Sequence, residues 1–348
     1  DVLMTFPALH DLRAALPRAR VRLAVGRWSE DVARRAPVDE VLVWSAPWVG
    51  RPHEGAVGLR ALLFAARALR QAPPDVALDL QGDLRAALLM SLSGARARVG
   101  YANTGGAHLL THVLPLDETV SWVEQNRRAV AVATGGARVA PVPPLLGPEA
   151  RQAGRALLAP HGLTARGPLV GIHPSGGRPV KQWPVARWGA VAGRLAAEQG
   201  ASIVVTGGAA DRPLAEELAR AVPGGITDLT GRLTLGETMS VIAALDLFLS
   251  PDTGPMHVAA AVGTPSVSVF GPSDATRYFS GGTGQPGTRN VVVRRDLWCA
   301  PCNLIRRPPE ECGHDEGPEC LRLVTVDEVV AAATRLLRET AARRAPSA

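Results

Sequence analysis

The chain has 348 residues, enough for two cores rather than one, since a single hydrophobic core rarely grows past about 250–300 residues. Apolar residues make up 46% and charged residues 20%, with a net charge of +6, the balance of a folded chain rather than a disordered one. No apolar run reaches the roughly 20 residues of a membrane helix. With only two Tyr and five Phe, the basic excess also lacks the aromatic platforms of a nucleic-acid binder.

The sequence opens in mid-pattern, with no secretory signal. "VLMTFPALHDLRAAL" repeats apolar positions at helical spacing, and Pro7 falls early enough for a first turn. "VRLAVG" and "DEVLVW" read as strands, "GLRALLFAARALR" as a helix, and "PDVALDLQG" as a third strand with a polar end. The helix "LRAALLMSLSG" stops at Gly94, and the strand "ARVGY" and the helix "WVEQNRRAVAVATGG" follow. Strands alternating with helices predict a parallel α/β sheet. The proline-rich "ARVAPVPPLLGP", residues 137–148, has no periodicity and is the best linker.

The pattern then restarts: strand "PLVGIHPS", helix "WPVARWGAVAGRLAAEQG", strand "ASIVVTGG", helix "DRPLAEELARAV". Helix "LGETMSVIAAL", strand "LDLFLS", helix "GPMHVAAAVG" and strand "PSVSVFG" continue it, and "TVDEVVAAATRLLRETAARR" is a last helix. Two doubly wound, Rossmann-like domains are expected, at 1–145 and 146–325, facing a central cleft. The closing helix, 326–348, is set apart as a segment that packs back toward the first domain. All four cysteines sit together at Cys299, Cys302, Cys312 and Cys320, which argues against a secreted disulfide framework. "CAPC" is a zinc-type pair, but the later two are seven residues apart in between. Free thiols in a reducing cytoplasm are therefore favoured over structural zinc, with His314 as a substitute ligand.

In open α/β sheets, ligands bind beyond the carboxyl ends of the strands. "HPSGGRPVKQWP" brings His173, the amides around Ser175 and Gly176, and the charge of Lys181 to one such end, which suits an anion. The plain alternative is a glycine-rich turn with solvated bases. "VTGGAADRP" offers Gly207, with Asp211 as a natural cap for a helix beginning at Pro213. "SPDTGPMH" is the sharpest: Thr253, Gly254 and the following amides form a helix N-terminus open to a phosphate, and His257 lies in its first turn. Asp252 either caps those amides or helps to hold a ligand. Two phosphate-suited strand ends in one half favour a nucleoside diphosphate. Asp1, at the head of the first helix, reads as a general base or as an N-cap.

Taken together, "DVLMTFPAL", "DLQG", "GIHPSGGRPVKQWP", "VVTGGAADR", "SPDTGPMHVAAAVGTPSVSVFGPSD" and "CAPC" resemble glycosyltransferase family 9, the ADP-heptose:lipopolysaccharide heptosyltransferases and their relatives. The resemblance runs from residue 1 to about 325. It implies a GT-B fold, with the acceptor on the first domain and the nucleotide-sugar donor on the second, and inverting transfer without a metal or other cofactor. It further implies Asp1 as general base and Lys181 as the charge that neutralises the leaving diphosphate. The donor, ADP-heptose or similar, would be held by His173, Ser175, Gly176, Gly207, Asp252, Thr253, Gly254 and His257. The glycine and strand that precede this aspartate in the family are absent from the sequence, so the first strand is expected to lie outside it. The expected setting is the cytoplasm, peripheral on the inner membrane, with a lipopolysaccharide or other surface-glycan acceptor and no nucleic acid. A sugar-nucleotide epimerase of the same fold and a non-catalytic nucleotide-sugar binder are the alternatives. A nicotinamide oxidoreductase would need G-x-G-x-x-G directly after a strand and an acidic residue about 20 positions later, a fingerprint the sequence does not show.

Overall fold

The structure is a computed structural model that describes residues 2–43, 59–103, 105–136, 138–139, 142–163, 167–279, 290–302 and 312–344. The chain divides into two compact units, 1–142 and 143–348, a few residues before the boundary read from the sequence.

The first unit runs α1 (Val2–Ala15), β1 (Arg22–Val25), α2 (Glu30–Ala33), β2 (Glu40–Val43), α3 (Leu59–Arg70), β3 (Val76–Asp79), α4 (Leu84–Leu92), β4 (Ala97–Tyr101), β5 (His112–Leu114) and α5 (Trp122–Thr134). Among the described residues its strands form two parallel ladders, β1-β2 and β3-β4-β5. Pro7 is the sixth residue of α1, inside the helix rather than in its first turn. Helices α1 and α5 pack together and are pinned by a buried fork: Arg127 Nε and Nη2 donate to Asp11 Oδ2 and Oδ1 at 2.7 and 2.8 Å. The same Asp11 Oδ1 accepts from the Val139 amide at 2.6 Å, so the chain leaving α5 is tied down as well. Removing one member of such a buried pair typically costs about 3–5 kcal/mol, because the other charge stays behind.

The second unit runs α6 (Pro148–Leu158), β6 (Leu169–Ile172), α7 (Val185–Gln199), β7 (Ser202–Val205), α8 (Arg212–Ala219), β8 (Thr227–Asp228), α9 (Leu235–Ala244), β9 (Leu247–Pro251), α10 (Gly254–Val262), β10 (Ser266–Val269), α11 (Ala275–Tyr278), β11 (Asn290–Val293), α12 (Glu319–Arg322) and α13 (Val326–Arg344). Its six-stranded sheet is parallel throughout, in the order β11-β10-β9-β6-β7-β8. The apolar runs read from the sequence become strands buried on both faces, as a parallel sheet between helices requires: every residue of β6, β9 and β10 is buried. One face meets α7 and α13, where Trp183 and Trp188 are fully enclosed and cross edge-to-face at 4.7 Å.

Two expectations change here. The proline-rich linker already belongs to the second unit at its far end: the Leu145 amide donates to the Ala261 carbonyl, and Pro148 begins α6. That helix packs on α9 so closely at Gly154 that a Cβ would come within 2.0 Å of the Ser240 carbonyl oxygen. Helix α13 is not a segment apart. It packs on α7 and on β9, β10 and β11 as part of the second unit, because Val329, Val330, Ala333, Leu336 and Leu337 give it an apolar stripe.

Candidate functional site

The strand order fixes where a site can form. From β6 the chain steps outward to β7 and β8, then returns to β9 on the other side of β6 and steps outward again to β10 and β11. The connections leaving β6 and β9 therefore diverge, and the crevice opens at their carboxyl ends. Both loops singled out in the sequence, 173–182 and 252–257, leave from those two neighbouring strands.

Across this switch point Lys181 Nζ stands 2.5 Å from Asp252 Oδ2. The pair is close to dry, with 15% and 7% of the two side chains exposed. Oδ2 accepts no hydrogen bond of good angle among the described residues, so the contact is an ion pair held by charge more than by direction. The sequence placed Lys181 at a helix start. It stands instead at the end of a single 3-10 turn, Pro179–Lys181, and α7 begins four residues later. Gly176 makes that turn possible: a Cβ there would lie 2.7 Å from the Lys181 carbonyl carbon and 2.9 Å from the Gln182 amide nitrogen. Ser175 closes the same turn, its Oγ accepting weakly from the Gly177 amide at 3.4 Å, and Gly177 takes the left-handed conformation (φ +69°).

Helix α10 begins beside Asp252. Thr253 is its N-cap residue with an extended backbone, but its side chain makes no capping hydrogen bond. The carboxylate of Asp252 goes to Lys181, so the capping role open to it in the sequence is not taken up. The N-terminus of α10 is left without a side-chain cap, with Pro255 at its second position and the Met256 amide turned back to the Thr253 carbonyl. Gly254 meets nothing within 4 Å where a Cβ would stand. Its freedom is not needed for the backbone; it leaves open space in front of a positively polarised helix end.

Two buried imidazoles flank the pair. His173 donates from Nδ1 to the Thr206 carbonyl at 3.0 Å, which leaves Nε2 as an acceptor, and burial lowers its pKa against the opposing pull of Asp211. His257, 7% exposed, is also pushed well below its ordinary value by burial; Asp252 pulls the other way and Lys181 adds to the lowering. Burial favours the neutral form of both rings. The β7 loop is organised by Asp211, whose Oδ2 accepts from the Gly208 amide at 2.8 Å. It makes no side-chain cap for α8, which starts at Arg212 rather than at Pro213, so the expected capping role is replaced by closure of the glycine turn. Gly207 is hemmed in by Asp211 and Thr230, 2.8–3.1 Å from a would-be Cβ.

The residues read as donor-binding thus gather at one edge of the second sheet. Asp1 lies outside the described residues. One group the sequence reading passed over is Arg277, buried to 5% in α11 just beyond β10. Its neighbour Ala275 packs with Met256 of α10, which brings a second buried cation to this edge. The signal was a lone arginine after "FGPSD", eight residues past the end of β10.

Comparisons with known proteins give the family and the fold. Residues 63–311 match the family model "Glycosyltransferase family 9 (heptosyltransferase)". Lipopolysaccharide heptosyltransferase 1 of Pseudomonas aeruginosa is 29% identical over 327 residues, covering 89% of this chain and 86% of the relative. Lipopolysaccharide heptosyltransferase 2 of Salmonella typhimurium is 27% identical over 286 residues, 78% of this chain and 80% of the relative. Among solved structures, the Escherichia coli ADP-heptose lps heptosyltransferase II superposes with a TM-score of 0.75 at 22% identity, covering 97% of this chain and 96% of that one. The family 9 glycosyl transferase of Veillonella parvula superposes at 0.77 and 22%, covering 97% and 94%. These likenesses carry the GT-B fold class for the pair of Rossmann-like units. The chain belongs to glycosyltransferase family 9, the heptosyltransferase family, and is a glycosyltransferase.

Proposed function

We propose that this enzyme transfers a heptose from ADP-heptose to a sugar of a lipopolysaccharide acceptor by direct displacement with inversion. The observation that carries the reading is the Lys181–Asp252 pair at the switch point, beside the uncapped N-terminus of α10. A nucleoside diphosphate at this edge meets amides of α10 from one side and the ammonium of Lys181 from the other. As the glycosidic bond breaks, negative charge grows on the departing diphosphate. A lysine held in a water-poor site stabilises that charge far more than it would in bulk water. Asp252 holds the ammonium in place before the donor arrives. Because lysine and helix end supply the positive charge, the transfer needs no metal at the diphosphate. The base that takes the acceptor proton is assigned to Asp1 on the family pattern.

The setting follows from the acceptor. No helix of the described residues is long and apolar enough to cross a membrane, and a lipid-linked acceptor would be met at the cytoplasmic face of the inner membrane by peripheral contact. The test is a donor screen with ADP-, GDP- and UDP-sugars followed by turnover on a heptose-deficient lipopolysaccharide core. ADP-heptose should bind most tightly, ADP should appear only when the acceptor is present, and the new bond should have the opposite anomeric configuration. An epimerised donor produced without acceptor would overturn the proposal in favour of an epimerase. Asp1→Asn should abolish transfer and leave donor affinity within about twofold.

A further inference from the structure

Beyond β11 the chain makes a small irregular knot that the transfer chemistry does not use. Its four cysteines, all within residues 299–320, line one cavity of 230 Å³, together with His314 and Glu319. All four thiols are free of disulfides. Cys299 lies inside a tight turn closed by the Ala300 amide on the Leu297 carbonyl, and Cys302 follows two residues after it. The Cys302 amide is in turn held by the Pro272 carbonyl, which anchors the turn to the loop after β10. Cys320 enters from the first turn of α12 and is buried, whereas Cys302 is exposed. His314 Nε2 stands 3.5 Å from Cys299 Sγ, and its Nδ1 stands 3.4 Å from Glu319 Oε2.

We propose that Cys299, Cys302, Cys312 and Cys320 bind one thiophilic divalent cation of the zinc class as a tetrathiolate structural site. Coordination takes one proton from each thiol, so M²⁺ and four Cys–SH give a dianionic M(S-Cys)₄ centre and four protons in solution. His314 is then the outer partner, with Nε2 beside the Cys299 sulfur and Nδ1 oriented by Glu319. Among the described residues no three donors stand at metal-holding spacing. The cation itself closes the set, since rotation between staggered χ1 wells swings a cysteine sulfur by about 3 Å. Tetrahedral closure needs metal–sulfur distances of about 2.3 Å, well inside a cavity of this size. Four soft donors select zinc over magnesium or calcium, which prefer oxygen. The site has a structural consequence for the enzyme: Val180 and Pro272 line the same cavity, and Val180 precedes Lys181.

The test uses the full chain, purified under reducing conditions and reconstituted with Zn²⁺ or Co²⁺. One metal per chain is expected by mass-spectrometric elemental analysis, with the intense sulfur-to-cobalt charge-transfer band and strong d–d bands of a tetrahedral thiolate site. Cys302→Ser, at the exposed thiol, should weaken the metal by at least about 100-fold, and His314→Ala by about 10–100-fold. In the wild type, a thiol-blocking mercurial should release the metal as four thiols react, a readout that survives if the serine variant does not fold. Sub-stoichiometric metal after reconstitution, two disulfides in the purified chain, or full metal retention by Cys302→Ser would overturn the proposal. None of these readouts depends on which sugar or acceptor the enzyme uses.

Discussion

Two aspartates stand at the carboxyl ends of parallel strands, one in each unit, and both are 5% exposed: Asp79, the last residue of β3, and Asp252, just after β9. They are satisfied in opposite ways. Asp79 is wrapped by its own turn, with Oδ1 accepting from the Gln81 and Gly82 amides at 2.9 and 3.2 Å and Oδ2 from the Asp83 amide at 3.0 Å. Asp252 receives no such turn; its partner is a lysine from the loop of the neighbouring strand. Amides of the same turn cannot leave without unfolding it. A lysine on a four-carbon stem can turn to another anion and return. The first arrangement fixes a backbone, and the second holds a charge available for a ligand.

Replacing Lys181 tests this contrast hardest. Lys181→Met keeps the length of the stem and removes the charge. It should cost about 10²–10³-fold in kcat/KM, the range for a group that meets charge developing in the transition state. Donor affinity should fall with it, which calorimetry with ADP would show. A variant that loses only thermal stability would place Lys181 with Asp79, as a structural partner and nothing more. The reverse experiment is smaller. Asp79→Ala removes three charge-assisted hydrogen bonds and should lower unfolding free energy by about 2–4 kcal/mol, with kcat/KM of the folded fraction within about twofold. A loss of turnover without a shift in the urea midpoint would give Asp79 a role in acceptor handling and break the comparison from the other side.

How these features could be read from the sequence follows the same division. The longer strands and most of the longer helices were legible because continuous apolar runs and helical spacing are local signals, but α6 and the four-residue α2, α11 and α12 were passed over. The short strands β5, β8 and β11 were not legible either: "HVL", "TD" and "NVVV" are too short to carry a period, and their pairing partners supply the order. At the site, the residue types in "DTGPMH" and "GRPVKQWP" announced an anion. Their wiring did not follow, because a capping aspartate and an ion-paired aspartate look alike until the lysine's position in space is known. The same limit hid Arg277, whose burial depends on α10 and α11 packing together. The cysteines were visible as a group, but the nine residues between Cys302 and Cys312 gave no sign that both would line one cavity.

The smallest expected effect is on pH dependence, and it separates the two aspartates once more. His173 and His257 are buried near the lysine pair with their folded pKa values below the ordinary 6.5, while burial raises the Asp79 carboxyl above its usual 3.8 against the pull of three amides. A histidine with a lowered folded pKa binds its proton more readily when unfolded. The stability it contributes is complete above pH 6.5 and is lost as pH falls toward the folded value, at up to about 1.4 kcal/mol per pH unit for each ring. Asp79 acts with the opposite sign and lower down: its contribution is present below pH 3.8 and declines as pH rises through its raised value. Urea midpoints measured from pH 7.5 to 5 should therefore fall, with the loss starting near pH 6.5. His257→Gln should flatten that slope by up to half, whereas Asp79→Ala should shift the whole curve downward and leave the slope unchanged. A slope untouched by His257→Gln would mean that this ring takes up protons equally in both states, and the dry, charge-holding character assigned to the Asp252 edge would fail with it.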